Sequence, residues 1–202
     1  MTSTTLADMR AYCRCMEQIK RRLALLSALT EGRASFGDPS ADGEFACLQL
    51  RKILEQVAFA SLAASRSHYS KLRPRIEKEW SAKRIIETLE KVHPDFYPRP
   101  ALSRRTGPKN VHFEPLKDGF LTKEELVFLY DKCSEAIHDW NPFREGPRVV
   151  QLKRPIDEWA VRIVRLLSYH YIRLLGEEDL LLVELSDDSG VARVLTASPT
   201  AG

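Results

Sequence analysis

Pro155-Ile156-Asp157-Glu158-Trp159-Ala160-Val161-Arg162-Ile163-Val164-Arg165-Leu166-Leu167-Ser168-Tyr169-His170-Tyr171-Ile172-Arg173-Leu174 carries a nearly continuous apolar band. Ile156, Trp159, Ala160, Ile163, Leu166, Leu167, Tyr171 and Leu174 recur at the three-and-four spacing of a helix with one buried side, Pro155 suits its first turn, and Gly176 is a stop signal. The stretch therefore predicts a single core helix, with His170 as a satisfied core or boundary histidine.

The same period predicts four earlier helices. Met9, Tyr12, Cys13, Met16, Ile19, Leu23 and Leu26 mark the first, over Leu6 to Leu29. Phe45, Leu48, Leu50, Ile53, Leu54, Val57, Ala58 and Leu62 mark a second from about Glu44 to His68, with Asp42 as its cap. After Leu72-Arg73-Pro74, where the residue before proline resists helical geometry, a third runs from Ile76 to Val92 and stops at His93-Pro94. Thr122 with Glu125 three residues on is a capping box, opening a fourth helix that runs to about Trp140, before Asn141-Pro142.

Residues 94–120 hold Pro94, Pro98, Pro100, Gly107, Pro108 and Pro115, which predicts a long loop with Asn110 to Leu116 as a short edge strand. Leu180 to Leu185 and Val191 to Thr196 alternate around Ser186-Asp187-Asp188-Ser189-Gly190, a hairpin pattern. The expected fold is mainly α, a five-helix bundle with a small C-terminal antiparallel β-hairpin. Residues 1–35 form an N-terminal amphipathic helix and linker, 36–175 a helical domain with the Pro-rich basic loop 94–120, and 176–202 the hairpin and a short tail.

Composition narrows the function classes. The 202 residues hold 31 Lys+Arg against 28 Asp+Glu, a net charge of +3, with 44% hydrophobic and 29% charged residues. That is the balance of a globular protein rather than a disordered tail. The longest uncharged stretch, Gln56 to Ser65, is far short of the roughly 20 apolar residues of a membrane span. Cys13, Cys15, Cys47 and Cys133 are irregularly spaced, which fits reduced thiols in a cytoplasmic protein. No Gly-rich phosphate loop, G-x-S-x-G, H-E-x-x-H or C-x-x-C occurs, and the histidines show no metal-ligand spacing, so neither metal nor cofactor is expected.

Charge is locally uneven. Arg66, Lys71, Arg73, Arg75, Lys78, Lys83 and Arg84 face only Glu77 and Glu79 in their segment, and Arg99, Arg104, Arg105, Lys109 and Lys117 face only Glu114 in theirs. Phe96, Tyr97 and Phe113 lie close to the second group. Bases beside aromatics suit single-stranded RNA, because phosphates take the charge and unpaired bases stack on rings. Solvated faces of an ordinary surface give the same pattern.

At the end of the fourth helix, Lys132-Cys133-Ser134-Glu135-Ala136-Ile137-His138-Asp139-Trp140-Asn141-Pro142 crowds titratable groups. His138 falls beside the buried stripe of Tyr130, Cys133 and Ile137, a half-sheltered place where an imidazole can act as acid or base, or simply meet the last helix carbonyls. Asn141 can hold phosphate or orient His138, since its amide donates and accepts. Arg51 and Glu55, one turn apart, either border the same cleft or form a surface ion pair. His138-Asp139 also matches the metal-binding pair of HD-type phosphohydrolases, whose remaining ligands have no counterpart here.

Cys47-Leu48-Gln49-Leu50-Arg51-Lys52-Ile53-Leu54-Glu55, followed by a later helix ending in Ala136-Ile137-His138, resembles the HEPN-like helical domains, particularly their small stand-alone prokaryotic versions, over roughly residues 44–175. The resemblance implies a five-helix HEPN-like bundle, a homodimer, and a metal-independent endoribonuclease of a toxin–antitoxin or phage-defence system, with an antitoxin or other protein partner. The family signature is an Arg followed after four to six residues by His. Here the His falls on His138, and within the Arg window, Asp131 to Cys133, only Lys132 is basic. Lys132 would neutralise a phosphate without the planar fork of an arginine. On this reading His138 and Lys132 are catalytic, while Asn141, Arg104, Arg105, Lys109 and Arg51 bind RNA. The other reading is a non-catalytic helical module whose fifth helix and C-terminal ribbon mediate dimerisation.

Overall fold

The computed structural model describes residues 5–64, 79, 81–105, 111–139, 143, 149–174 and 178–198. Its described helices are α1 (Leu6–Thr30), α2 (Pro39–Ala64), α3 (Ala82–Val92), α4 (Lys123–Ile137) and α5 (Ile156–Leu167), and its strands are β1 (Arg99–Arg105), β2 (Val111–Pro115), β3 (Tyr169–Arg173), β4 (Leu180–Glu184) and β5 (Arg193–Ala197).

Helix starts follow local chemistry. Thr5 and Asp8 close a capping box at α1, and Thr122 and Glu125 another at α4, each pair satisfying two backbone N–H groups that no helical carbonyl can reach. α2 begins a turn earlier than its apolar pattern: Asp38 Oδ1 accepts from the Ala41 N–H at 2.8 Å, Pro39 occupies the first turn, and Asp42 accepts from Ser35 Oγ and the Phe36 N–H instead. α2 is buried on most of its circumference, from Ala46 and Leu50 through Ile53, Leu54 and Val57 to Ala60 and Ala64, because α1 and α4 pack on different sides of it. Ile76 and Trp80, which the sequence assigns to the third helix, lie outside the described residues. Within the described residues no helix is long and apolar enough to cross a membrane.

The expected mainly α bundle with only a small hairpin is overturned. The strands form one antiparallel five-stranded sheet in the order β2-β1-β3-β4-β5. Two segments account for this. The apolar run taken as one helix is two elements: α5 ends at Leu167, and Tyr169 to Arg173 become the central strand, with Tyr171 opposite Leu182 of β4 on one side and Arg99 of β1 on the other. Tyr171 and Leu174, three residues apart, fit helical spacing, but this segment pairs with β1 and β4 on its two edges and buries His170 and Ile172 against the helices, an alternation that only a strand provides. The Pro-rich segment, expected as a loop with one edge strand, contributes two strands; Pro100 is tolerated because it stands at the start of β1, while its carbonyl accepts from the Leu116 N–H at 3.0 Å.

The sheet has two different sides. Along β3 and β4, His170, Ile172, Leu181 and Val183 are fully buried and face the helices, with Tyr12 of α1 reaching His170. On the other side the paired rows hold Tyr171 opposite Leu182 opposite Leu195, and Tyr169 opposite Glu184 opposite Arg193. Arg162 on α5 ties the helical layer together, donating to Glu125 Oε2 and to the Phe120 carbonyl, both at 2.7 Å.

Candidate nucleic-acid interface

Of the side chains nominated by the sequence, His138, Lys132 and Arg51 lie within the described residues. α4 ends at Ile137, so His138 is its C-cap in extended geometry (φ −82°, ψ 145°) and is exposed rather than half-sheltered. Lys132 Nζ is 2.7 Å from Glu135 Oε2 on its own helix. Arg51 bonds Glu55 Oε1 at 3.3 Å and the Tyr130 hydroxyl at 3.4 Å, and lies 5.2 Å from the Tyr130 ring centroid, so it ties α2 to α4. Asn141 and Lys109 are outside the described residues, and of Arg104 and Arg105 only the backbone positions in β1 are described.

Two of the three aromatics expected near the basic loop are structural. Phe96 is fully buried, and the Tyr97 hydroxyl donates to the Leu121 carbonyl at 3.0 Å, with burial pushing its phenol well above its ordinary pKa. Phe113 differs. It stands on β2 opposite Ser103, and its ring lies 5.6 Å from that of Tyr169 at an interplanar angle of 20°, and 6.2 Å from that of Tyr171.

These three rings occupy the side of the sheet away from the helices. They are half-buried, and none is among the side chains packed against the helical core. Ala101 and Leu182, only 3% and 7% exposed, are likewise buried without belonging to that core. The aromatic cluster therefore has a small apolar floor of its own. Strand alternation puts exposed Arg173 in line with Tyr169 and Tyr171, and Arg99, opposite Tyr171, donates to Asp95 Oδ1 at 2.5 Å with the Tyr171 hydroxyl also in reach. Flat apolar rings flanked by guanidinium groups offer stacking surfaces and phosphate partners on one rigid element.

Sequence reading missed Tyr169 and Tyr171 by assigning them to a buried helix. The detectable signal was the alternation Tyr169-His170-Tyr171-Ile172 just after Ser168.

Where β1 begins and β2 ends, the same side opens into a groove of about 400 Å³, lined among others by Tyr171, Arg99, Asp95, Lys123, Pro100 and Pro115. Lys123 pairs with Glu90 of α3.

No family model, curated protein or solved structure matches the chain.

Proposed function

We propose that this protein binds single-stranded RNA on the open side of its sheet. The observation that carries the reading is the Phe113–Tyr169–Tyr171 cluster, set outside the helical core and flanked by Arg99 and Arg173. Half-buried aromatics on a sheet surface are costly to keep wet unless something covers them, and unpaired bases are flat, apolar-faced partners. A duplex hides those faces, so the platform favours single strands. Arg99 and Arg173 then meet backbone phosphates as point contacts, without reading sequence.

Fluorescence anisotropy of a labelled single-stranded RNA 12-mer in EDTA tests this, with Phe113→Ala and Tyr169→Ala alongside. Each lost ring should weaken binding by about 5- to 150-fold, the range of one base–aromatic stack. Unchanged affinity in both variants would overturn the reading. Running the same samples on a denaturing gel with His138→Ala reports separately on the endoribonuclease expectation: cleavage that vanishes in His138→Ala adds catalysis to binding.

One observation favours a second reading, self-association through α5. Val161 and Val164 are 56% and 38% exposed beside Leu23 and Ala24 of α1, forming an apolar furrow. Sedimentation equilibrium tests it: if α5 is the contact, Val161→Asp shifts a dimer to monomer.

A further inference from the structure

Resting on the RNA-binding reading, we infer that the groove at the start of β1 is a subsite for the phosphorylated terminal nucleotide of the bound strand. Tyr171 belongs both to the aromatic cluster and to the groove wall, so a strand stacked on Phe113 and Tyr171 leads directly into it. The volume, about 400 Å³, is within the range of pockets that take small ligands and is too small for a continuing strand of several nucleotides. Its walls suit a nucleotide: Pro100 and Pro115 supply apolar surface for a base or sugar face, and Arg99 and Lys123 supply cations.

Both cations already have carboxylate partners, Asp95 for Arg99 and Glu90 for Lys123, and this selects the ligand. In these pairs the two carboxylates are 45% and 47% exposed, so water screens them and each pair is held weakly. An internal phosphodiester, with one negative charge, can draw Arg99 from Asp95 but not both cations at once. A terminal phosphomonoester carries about −1.5 to −2 and three acceptor oxygens, enough to draw both cations at once. Asp95, released from Arg99, is then an acceptor for ribose hydroxyls, a role a second phosphate could not tolerate. The groove accordingly recognises a strand end, giving the platform a fixed direction of threading.

Either a 5′- or a 3′-phosphate has the required chemistry, and the experiment separates them. Four versions of one RNA 12-mer are titrated by anisotropy, with the label on the opposite end: 5′-phosphate, 5′-hydroxyl, 3′-phosphate and 3′-hydroxyl. One phosphorylated end should bind about tenfold more tightly than its hydroxyl counterpart. Lys123→Gln should bring that ratio close to one, whereas Phe113→Ala should weaken both members of the pair and leave the ratio near ten. Binding of all four with equal affinity overturns the end subsite and leaves the platform standing. A ratio that survives Lys123→Gln and Arg99→Gln also overturns it, placing end recognition elsewhere. If none of the four binds, the RNA-binding reading itself fails and this inference with it.

Discussion

The Tyr12 hydroxyl donates to His170 Nε2 at 2.7 Å, while His170 Nδ1 donates to the Leu167 carbonyl at 3.0 Å. A carbonyl can only accept, so the ring is held as the Nδ1–H tautomer, with Nε2 left as the acceptor for Tyr12. Both side chains are fully buried, and together they join α1 to the central strand and to the end of α5. The inner side of the sheet is thus tied to the helices by a buried polar contact within an apolar layer.

Acid should release that contact. Burial pushes the His170 pKa down from 6.5 to about 4. The folded state therefore resists protonation and the unfolded chain does not, so the contribution is complete above pH 6.5, erodes as pH falls from 6.5 to 4, and is constant below. The whole effect amounts to roughly 3 kcal/mol at 1.36 kcal/mol per pKa unit. Urea unfolding at pH 7, 5.5 and 4.5 should show this slope in the wild type and a shallower one in His170→Gln.

Tyr12→Phe keeps the ring and strands Nε2 without a donor. The cost should be about 1–3 kcal/mol, the desolvation penalty of an unsatisfied buried group. Combining it with His170→Leu in a double-mutant cycle should return a coupling energy above about 0.5 kcal/mol. Additive losses would mean that the hydroxyl and imidazole do not act together.

Gly119 separates two kinds of backbone cost. Its φ is +78°, and a Cβ there would stand 2.7 Å from Arg165 Cζ. The clash is with the far end of a flexible side chain and can be relieved by rotation, whereas the left-handed backbone cannot. Gly119→Ala should therefore destabilise by roughly 1 kcal/mol. The same loss should appear in an Arg165→Ala background, as measured by thermal unfolding. Rescue there would assign the cost to crowding instead.

Salt dependence should be shallow. With Arg99 and Arg173 as the two cations beside the aromatic platform, the slope of log affinity against log salt should lie between about −1 and −2, at roughly −0.7 per neutralised phosphate on a single strand. Arg173→Ala should reduce it by about 0.7. A much steeper slope would move the main contact to another basic surface.

Locally encoded elements were readable from sequence. The α4 capping box, the turn between β4 and β5 and the edge strand β2 all rest on neighbouring residues, while His170 is buried as expected but on a strand rather than on a helix. What failed was decided at a distance. Tyr169 to Arg173 lie within an apolar run that continues α5, and only β1 and β4 on either side make them a strand. The same holds for the candidate site: Phe113 stood out beside the basic loop, but its partners Tyr169 and Tyr171 emerge only once β1 aligns with β2 on one edge and β3 on the other. The half-sheltered place expected for His138 depended on the helix running to about Trp140, but it stops at Ile137 and leaves His138 exposed.

The pairing of Arg99 with Tyr171 joins the middle of the chain to a strand made much later. Such a closure is slow, because the entropy of a long loop must be overcome before its contacts form. During synthesis the helices α1 to α4 emerge first and can pack among themselves, while β1 and β2 wait as an incomplete ribbon. The stacking surface appears only when β3 slots in beside β1. On the RNA-binding proposal, a nascent or truncated chain that stops short of β3 would lack the stacking surface, and binding would serve as a reporter that synthesis had passed the central strand.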